Sequence, residues 1–217
     1  MARFLDNIPP VTRNLLFVNV IMFVATLINP TFMNNTFAMA FPLASGFRWW
    51  QPLTHMFMHA GFMHIFFNMY TLVMFGMVVE RVLGTRKFII FYLITGFGAV
   101  ALHTGVEFLQ VQGLLHQYPG VDPQIIYNSV PGVLGASGAV YGVLVAFAML
   151  YPEARMTLIF PPVTLDAKWM VIIFIGIELL TGITGTQMGV AHFAHLGGAL
   201  FGWLTILYWR KTRRLYR

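Results

Sequence analysis

Cysteine is absent from all 217 residues, which excludes disulfides and any Cys-ligated metal or iron–sulfur site. Charge is sparse. Only 9% of residues are charged while 58% are hydrophobic, which is not the composition of a soluble globular chain. Serine is rarer still: Ser45, Ser129 and Ser137 are the full complement. The start of the chain, with Asp6 and Pro9-Pro10, lacks the charged, apolar, small-residue order of a secretory leader. No H-E-x-x-H occurs, so the zinc-peptidase pattern is missing. His55, His59 and His64 lie close in sequence without a carboxylate or cysteine partner, so no metal is expected there. Histidines on facing helices at the matched depths a haem needs are not evident either, and no cofactor is expected.

What the chain does have is long apolar runs with short polar gaps. They predict an all-α polytopic membrane protein forming one helical bundle. Six spans are expected, at about residues 14–28, 62–79, 87–108, 132–150, 168–183 and 190–209. This divides the chain into a short N-terminal segment (1–13), a membrane domain (14–209) and a basic tail (210–217). The stretch 31–58, with Phe47, Trp49, Trp50 and Phe57, suits the headgroup level. A polar loop is expected over 110–131. The net charge of +6 does not indicate nucleic acid, because five of the thirteen basic residues crowd into Arg210 to Arg217, the mark of an anchor at an anionic membrane face. With both termini cytoplasmic, twelve basic residues fall inside and only Arg48 outside. That asymmetry fixes the expected orientation.

Orientation then sets depth. Spans two, four and six all descend from the outer face, so His64, Asn68, Ser137 and His195 fall at a similar level near its surface. His64 and Asn68 share a helix face, as do Ser137 and Tyr141. Gly138 and Gly142 on span four, and Gly198 and Gly202 on span six, would let those two helices approach closely. Ser137 Oγ could then reach a ring nitrogen of His195. A serine hydroxyl becomes a useful nucleophile when an imidazole takes its proton, and the resulting oxyanion needs donors that His64, Asn68 and the Ser137 amide can supply. No acid is expected to complete a triad: Glu107 and Asp122 fall in or beside the outer loop, and Glu178 within span five. The expectation is a Ser–His dyad with Tyr141 packed on the imidazole. His192 is read as structural, and Glu178 as a buried residue with a polar partner in the bundle.

Three ordered motifs resemble those of rhomboid intramembrane serine proteases: His64 with Asn68 (H-x-x-x-N), Gly135-Ala136-Ser137-Gly138 (G-x-S-G), and Ala194-His195 with Gly198 and Gly202 (A-H-x-x-G-x-x-x-G). Glu80-Arg81 followed by Gly84 also fits, and the resemblance extends from about residue 14 to 208. It implies a six-helix bundle with Ser137 as nucleophile, His195 as base and acid, His64, Asn68 and the Ser137 amide around the oxyanion, and Tyr141 stacked on His195. The implied partners are the lipid bilayer and transmembrane protein substrates, cut near the outer leaflet. The expected location is a bacterial cytoplasmic membrane. One departure is visible: many relatives have Trp-Arg in the first loop, whereas here Trp50 is followed by Gln51, so the loop's anchoring is expected to differ. The competing reading is a non-catalytic adaptor on the same scaffold, binding transmembrane helices without cutting them. The presence of both Ser137 and His195 counts against it.

Overall fold

The computed structural model describes residues 6–158, 162–185 and 191–215. The expected start of span six at Val190, most of the connection ending at Gly189, and the outermost basic residues Arg3 and Arg217 lie outside these. The chain is mostly helical. Helix α1 (Pro10–Ile28) opens with proline at its first position, where a missing N–H costs nothing, and is followed by α2 (Pro30–Phe37). A looped segment then carries the short α3 (Gln51–Thr54) and a 3₁₀ turn at His55–Phe57. Helix α4 runs over Phe62–Leu83 with a π-helical stretch at Leu72–Gly76. Gly84, at φ 77°, makes the tight joint to α5 (Thr85–Gln117). There follow α6 (Pro123–Ser129), α7 (Ser137–Leu150), a two-stranded antiparallel hairpin of β1 (Arg155–Thr157) and β2 (Thr164–Asp166), α8 (Ala167–Thr184) and α9 (His192–Lys211).

Two boundaries differ from the sequence expectation. Helix α5 continues well past residue 108, to Gln117. The glutamines that interrupt hydropathy there are good helix formers, and Val111 packs with Phe41 and Ile126 to hold the extension in place. The fourth run becomes helical only at Ser137. Before it the chain is extended, pairing Val133 with Met39 through two 2.8 Å backbone hydrogen bonds, and Gly135 takes φ 138°.

Among the described residues, α1, α4, α5 and α8 are long and apolar enough to cross a bilayer. With 14 residues, α7 is about 21 Å long, short of the ~30 Å hydrocarbon core, so at least one of its ends must lie inside. Helix α9 begins with two histidines and closes with Arg210 and Lys211, which dilutes its hydropathy. Outward-facing Ile21, Leu27, Ile172, Leu180 and Ile183 are exposed, giving the apolar exterior that lipid solvates. The chain is a membrane protein.

The centre of the bundle is α5, α7 and α9, which pack on one another more extensively than any other set. Phe88, Phe91 and Tyr92 of α5 are fully buried against Val143 and Ala146 of α7 and Ile206 of α9. A Cβ on Gly198 would lie 1.8 Å from the Gly138 carbonyl oxygen, and one on Gly202 would lie 2.8 Å from Gly142 Cα. Only hydrogen fits at these crossings, so the α7–α9 approach is a backbone-to-backbone contact.

Arg81, Lys87 and Arg210 gather at one end. Arg81 donates to Asn7 O, Lys87 to Arg214 O, and Arg210 to Met149 O. These contacts join the start of α1, the α4–α5 joint, the end of α7 and the end of α9. Ser137, His64 and His195 lie at the opposite ends of their helices.

Candidate active site

Ser137 is the first residue of α7. The first amides of a helix have no intrahelical acceptor, and the macrodipole makes this end positive. The approach to it is held by a hydrogen bond from Gly135 N to His55 O, 2.9 Å. His195, in the first turn of α9, brings Nε2 to 2.7 Å from Ser137 Oγ. In the orientation that nucleophilic attack requires, the hydroxyl donates to Nε2 and the ring proton sits on Nδ1.

The expected oxyanion donors stand on the other side of the serine. His64 Nδ1 accepts a hydrogen bond from Ala60 N at 3.3 Å, so the ring proton is on Nε2. That atom faces the serine turn: a Cβ on Gly135 would lie 2.9 Å from His64 Nε2 and 3.4 Å from Ser137 Oγ. Gly135 is therefore the space through which the two groups see each other. Asn68, one turn below His64, donates one amide hydrogen to His64 O at 2.8 Å and has a second to offer. Ser137, His195, His64 and Asn68 line a cavity of about 1180 Å³. Its walls include Met63, Phe67 and Thr71 from α4 and Phe174, Thr181 and Gly182 from α8.

Tyr141, one turn along α7 from Ser137, lies flat on the His195 ring, with centroids 4.5 Å apart and planes 8° from parallel. Its hydroxyl donates to Glu178 Oε1 at 2.5 Å. Here the structure departs from the sequence reading, which placed no acid beside His195. Glu178 Oε1 lies 2.9 Å from His195 Nδ1, and Oε2 lies 2.6 Å from His192 Nδ1. The His195 contact has the separation of a hydrogen bond without its direction, since Nδ1 lacks a well-aligned acceptor. His192, read from sequence as structural, also meets Thr181 Oγ1 at 3.1 Å. The signal was present in the sequence: a lone carboxylate in an apolar span marks a functional position by default. What sequence could not supply was which way α8 turns.

A family model described as Rhomboid domain covers residues 46–212. This chain belongs to the rhomboid family. Relatives include Rhomboid protease AarA of Providencia stuartii, 29% identical over 156 residues that cover 71% of this chain and 53% of that protein. The mitochondrial presenilin-associated rhomboid-like protein of Rattus norvegicus is 31% identical over 153 residues, covering 70% of this chain and 36% of the relative. RHOMBOID-like protein 6, mitochondrial, of Arabidopsis thaliana is 28% identical over 153 residues, with 70% and 41% covered. The rhomboid thus spans about half or less of the length of these curated relatives.

The first-loop departure of this rhomboid also has a physical account. Gln51 is almost wholly buried. Its Oε1 accepts from Ala40 N at 3.2 Å and Arg48 N at 3.1 Å, while Nε2 donates to Gly46 O at 3.2 Å and Asn35 O at 3.4 Å. A neutral amide with two donors and two acceptors satisfies four loop groups, which a guanidinium, having no acceptor, could not. Trp50 Nε1 closes the same loop on Thr36 O at 2.9 Å.

Proposed function

We propose that this rhomboid is an intramembrane serine endopeptidase that cuts peptide bonds in or beside transmembrane segments of other proteins. The observation that carries the reading is the 2.7 Å contact between Ser137 Oγ and His195 Nε2, made across two helices whose glycines leave room for nothing larger. Ser137 Oγ attacks the scissile carbonyl carbon as its proton passes to His195 Nε2. The carbonyl oxygen becomes the oxyanion and accepts hydrogen bonds from His64 Nε2, Asn68 Nδ2 and the Ser137 amide. His195 returns its proton to the leaving amine, and the C–N bond breaks. A water then gives a proton to His195 and attacks the acyl carbon; His195 passes that proton to Ser137 Oγ as the acyl C–O bond breaks, releasing the carboxyl product and restoring the serine.

The cavity walls suggest the route of entry. Helix α8 is peripheral, packed mainly on α9, and the cavity lies between α8 and α4, so a substrate helix enters sideways between them. The absence of cysteine makes the test clean. Phe67→Cys and Phe174→Cys, crosslinked across the cavity, should block cleavage of a transmembrane substrate while leaving labelling by a small phosphonate intact. Unchanged cleavage would rule the lateral route out.

The proposed setting is a bacterial cytoplasmic membrane crossed six times, with both termini inside. The basic residues collected at the end away from Ser137 support this orientation, and reporter fusions at each connection would test it. The chemistry is tested by fluorophosphonate labelling of detergent-solubilised protein. Wild type should label, while Ser137→Ala and His195→Ala should not. Failure of folded wild type to label would favour a helix-binding adaptor without catalysis.

A further inference from the structure

We propose that Glu178 is a positioning residue for His195, so that the site works as a Ser–His–Glu arrangement and not as an unassisted dyad. The proposal rests on the reading of Ser137 as nucleophile and His195 as its base.

Glu178 is a carboxylate in the middle of α8, a helix otherwise apolar from Trp169 to Leu180, and it is buried. A charge in such a place is costly unless it is fully partnered. Its partners come from two other helices and converge on the candidate base. Oε1 is shared between Tyr141 Oη at 2.5 Å and His195 Nδ1 at 2.9 Å, while Oε2 is held by His192 Nδ1 at 2.6 Å. The two oxygens are pinned from different sides, so the carboxylate cannot rotate away from the imidazole. Tyr141 acts twice, since its ring fixes the plane of His195 and its hydroxyl fixes the acid that touches Nδ1.

The chemical consequence follows from which ring nitrogen holds the proton. An acceptor beside Nδ1 favours the Nδ1–H tautomer of neutral His195, leaving the Nε2 lone pair facing Ser137 Oγ. When the serine proton arrives at Nε2, the imidazolium forms 2.9 Å from a carboxylate, and a small ring rotation aligns the N–H with Oε1. Glu178 keeps its charge and the Nδ1 proton stays on His195 throughout, as in other acid-assisted serine sites. The groups facing Glu178 are His192 and His195 from α9 and Tyr141 from α7. The hairpin at the other end of α8 contributes Arg155 and Asp166, which pair with each other at 3.2 Å about 18 Å away along the helix.

The test uses full-length protein in detergent, with Glu178→Gln and Glu178→Asp beside wild type. Two quantities are measured: the second-order rate of fluorophosphonate labelling of Ser137, and the tautomer of His195 by ¹⁵N NMR of its ring. Wild type should show the Nδ1–H form. Glu178→Gln, which can turn an N–H toward the ring as readily as a carbonyl, should lose that preference and label about 100-fold more slowly, with a thermal midpoint close to wild type. Glu178→Asp should recover part of both.

Labelling of Glu178→Gln within about threefold of wild type overturns the proposal, as does slow labelling with the tautomer unchanged. If neither variant folds, an Nε2–H tautomer in wild type overturns it alone. Failure of the underlying reading looks different: wild type would not label at Ser137, whatever its His195 tautomer.

Discussion

Among the three serines, only Ser137 starts a buried helix facing a histidine. Ser45 Oγ donates to Asn128 Oδ1 at 3.1 Å and Ser129 Oγ to Ile126 O at 2.8 Å, so both are used in local structure. Removing the Ser137 hydroxyl deletes one small group at a helix start. Ser137→Ala should therefore unfold like wild type while turnover of a transmembrane substrate disappears. His64→Ala and Asn68→Ala should each keep a fraction of activity, with kcat lowered about 10²- to 10³-fold and KM little changed, since each would remove one of the several proposed oxyanion donors. Equal, complete loss in all three would mean that His64 and Asn68 do more than donate. Gly198 is the structural counterpart. Gly198→Ala forces a methyl into the Gly138 carbonyl and should cost about 3 kcal/mol, read as an earlier denaturation midpoint, and should slow Ser137 labelling because α9 carries His195 away with it.

At the level of elements, α1 is attached to the bundle by its N-terminus. Glu80, buried on α4, accepts from Val11 N at 2.9 Å, Thr12 N at 2.7 Å and Thr12 Oγ1 at 2.7 Å. A carboxylate at the positive end of a helix satisfies orphan amides and the macrodipole together. Glu80→Gln keeps the shape, removes the charge and leaves one oxygen where two were used. It should cost about 2 kcal/mol and raise hydrogen exchange at Val11 and Thr12 before other α1 amides. Protection unchanged at those two positions would mean that α1 is held by apolar packing alone. Glu80, Arg81 and Gly84 were visible as a motif. Their work is now concrete: a cap for α1, a bond to Asn7 O and a left-handed joint.

For the whole molecule, the first loop and the serine turn form one unit, and its histidines make that unit sensitive to acid. His55 O accepts from Gly135 N at 2.9 Å, and His55 Nδ1 donates to Gln51 O at 3.1 Å. Burial pushes its imidazole down to about 4, and burial also pushes His59 down to about 3. Both are neutral in the fold and gain a proton on unfolding once the pH is below their ordinary 6.5. Stability is therefore unaffected by these groups above about pH 6.5 and falls as pH drops through the window between 6.5 and the folded values. At pH 5 the His55 contribution alone should be a loss of roughly 2 kcal/mol. Thermal midpoints measured from pH 7.5 to 4.5 should fall for wild type, with a shallower slope for His55→Gln; parallel slopes would mean that His55 is protonated equally in both states.

The sequence by itself determined that this chain lives in a bilayer, because a composition so poor in charge and so rich in apolar runs cannot be stable in water. It also determined the pairings that glycine spacing permits, since Gly138, Gly142, Gly198 and Gly202 repeat at the period of a helix face. That Ser137, His64 and His195 come to one end was expected from the order of the apolar runs, although the run holding Ser137 was expected to turn helical near residue 132 and does so at Ser137. Only tertiary structure decided the rotation of α8, because an apolar helix with lipid on one side carries little periodic signal, and that rotation brings Glu178 onto His195. Tertiary structure also decided the late start of α7: the Met39–Val133 pairing and the backbone at Gly135 draw residues 132–136 out of the helix. A hydropathy pattern records which residues avoid water. It does not record which neighbour each polar side chain finds once water is gone.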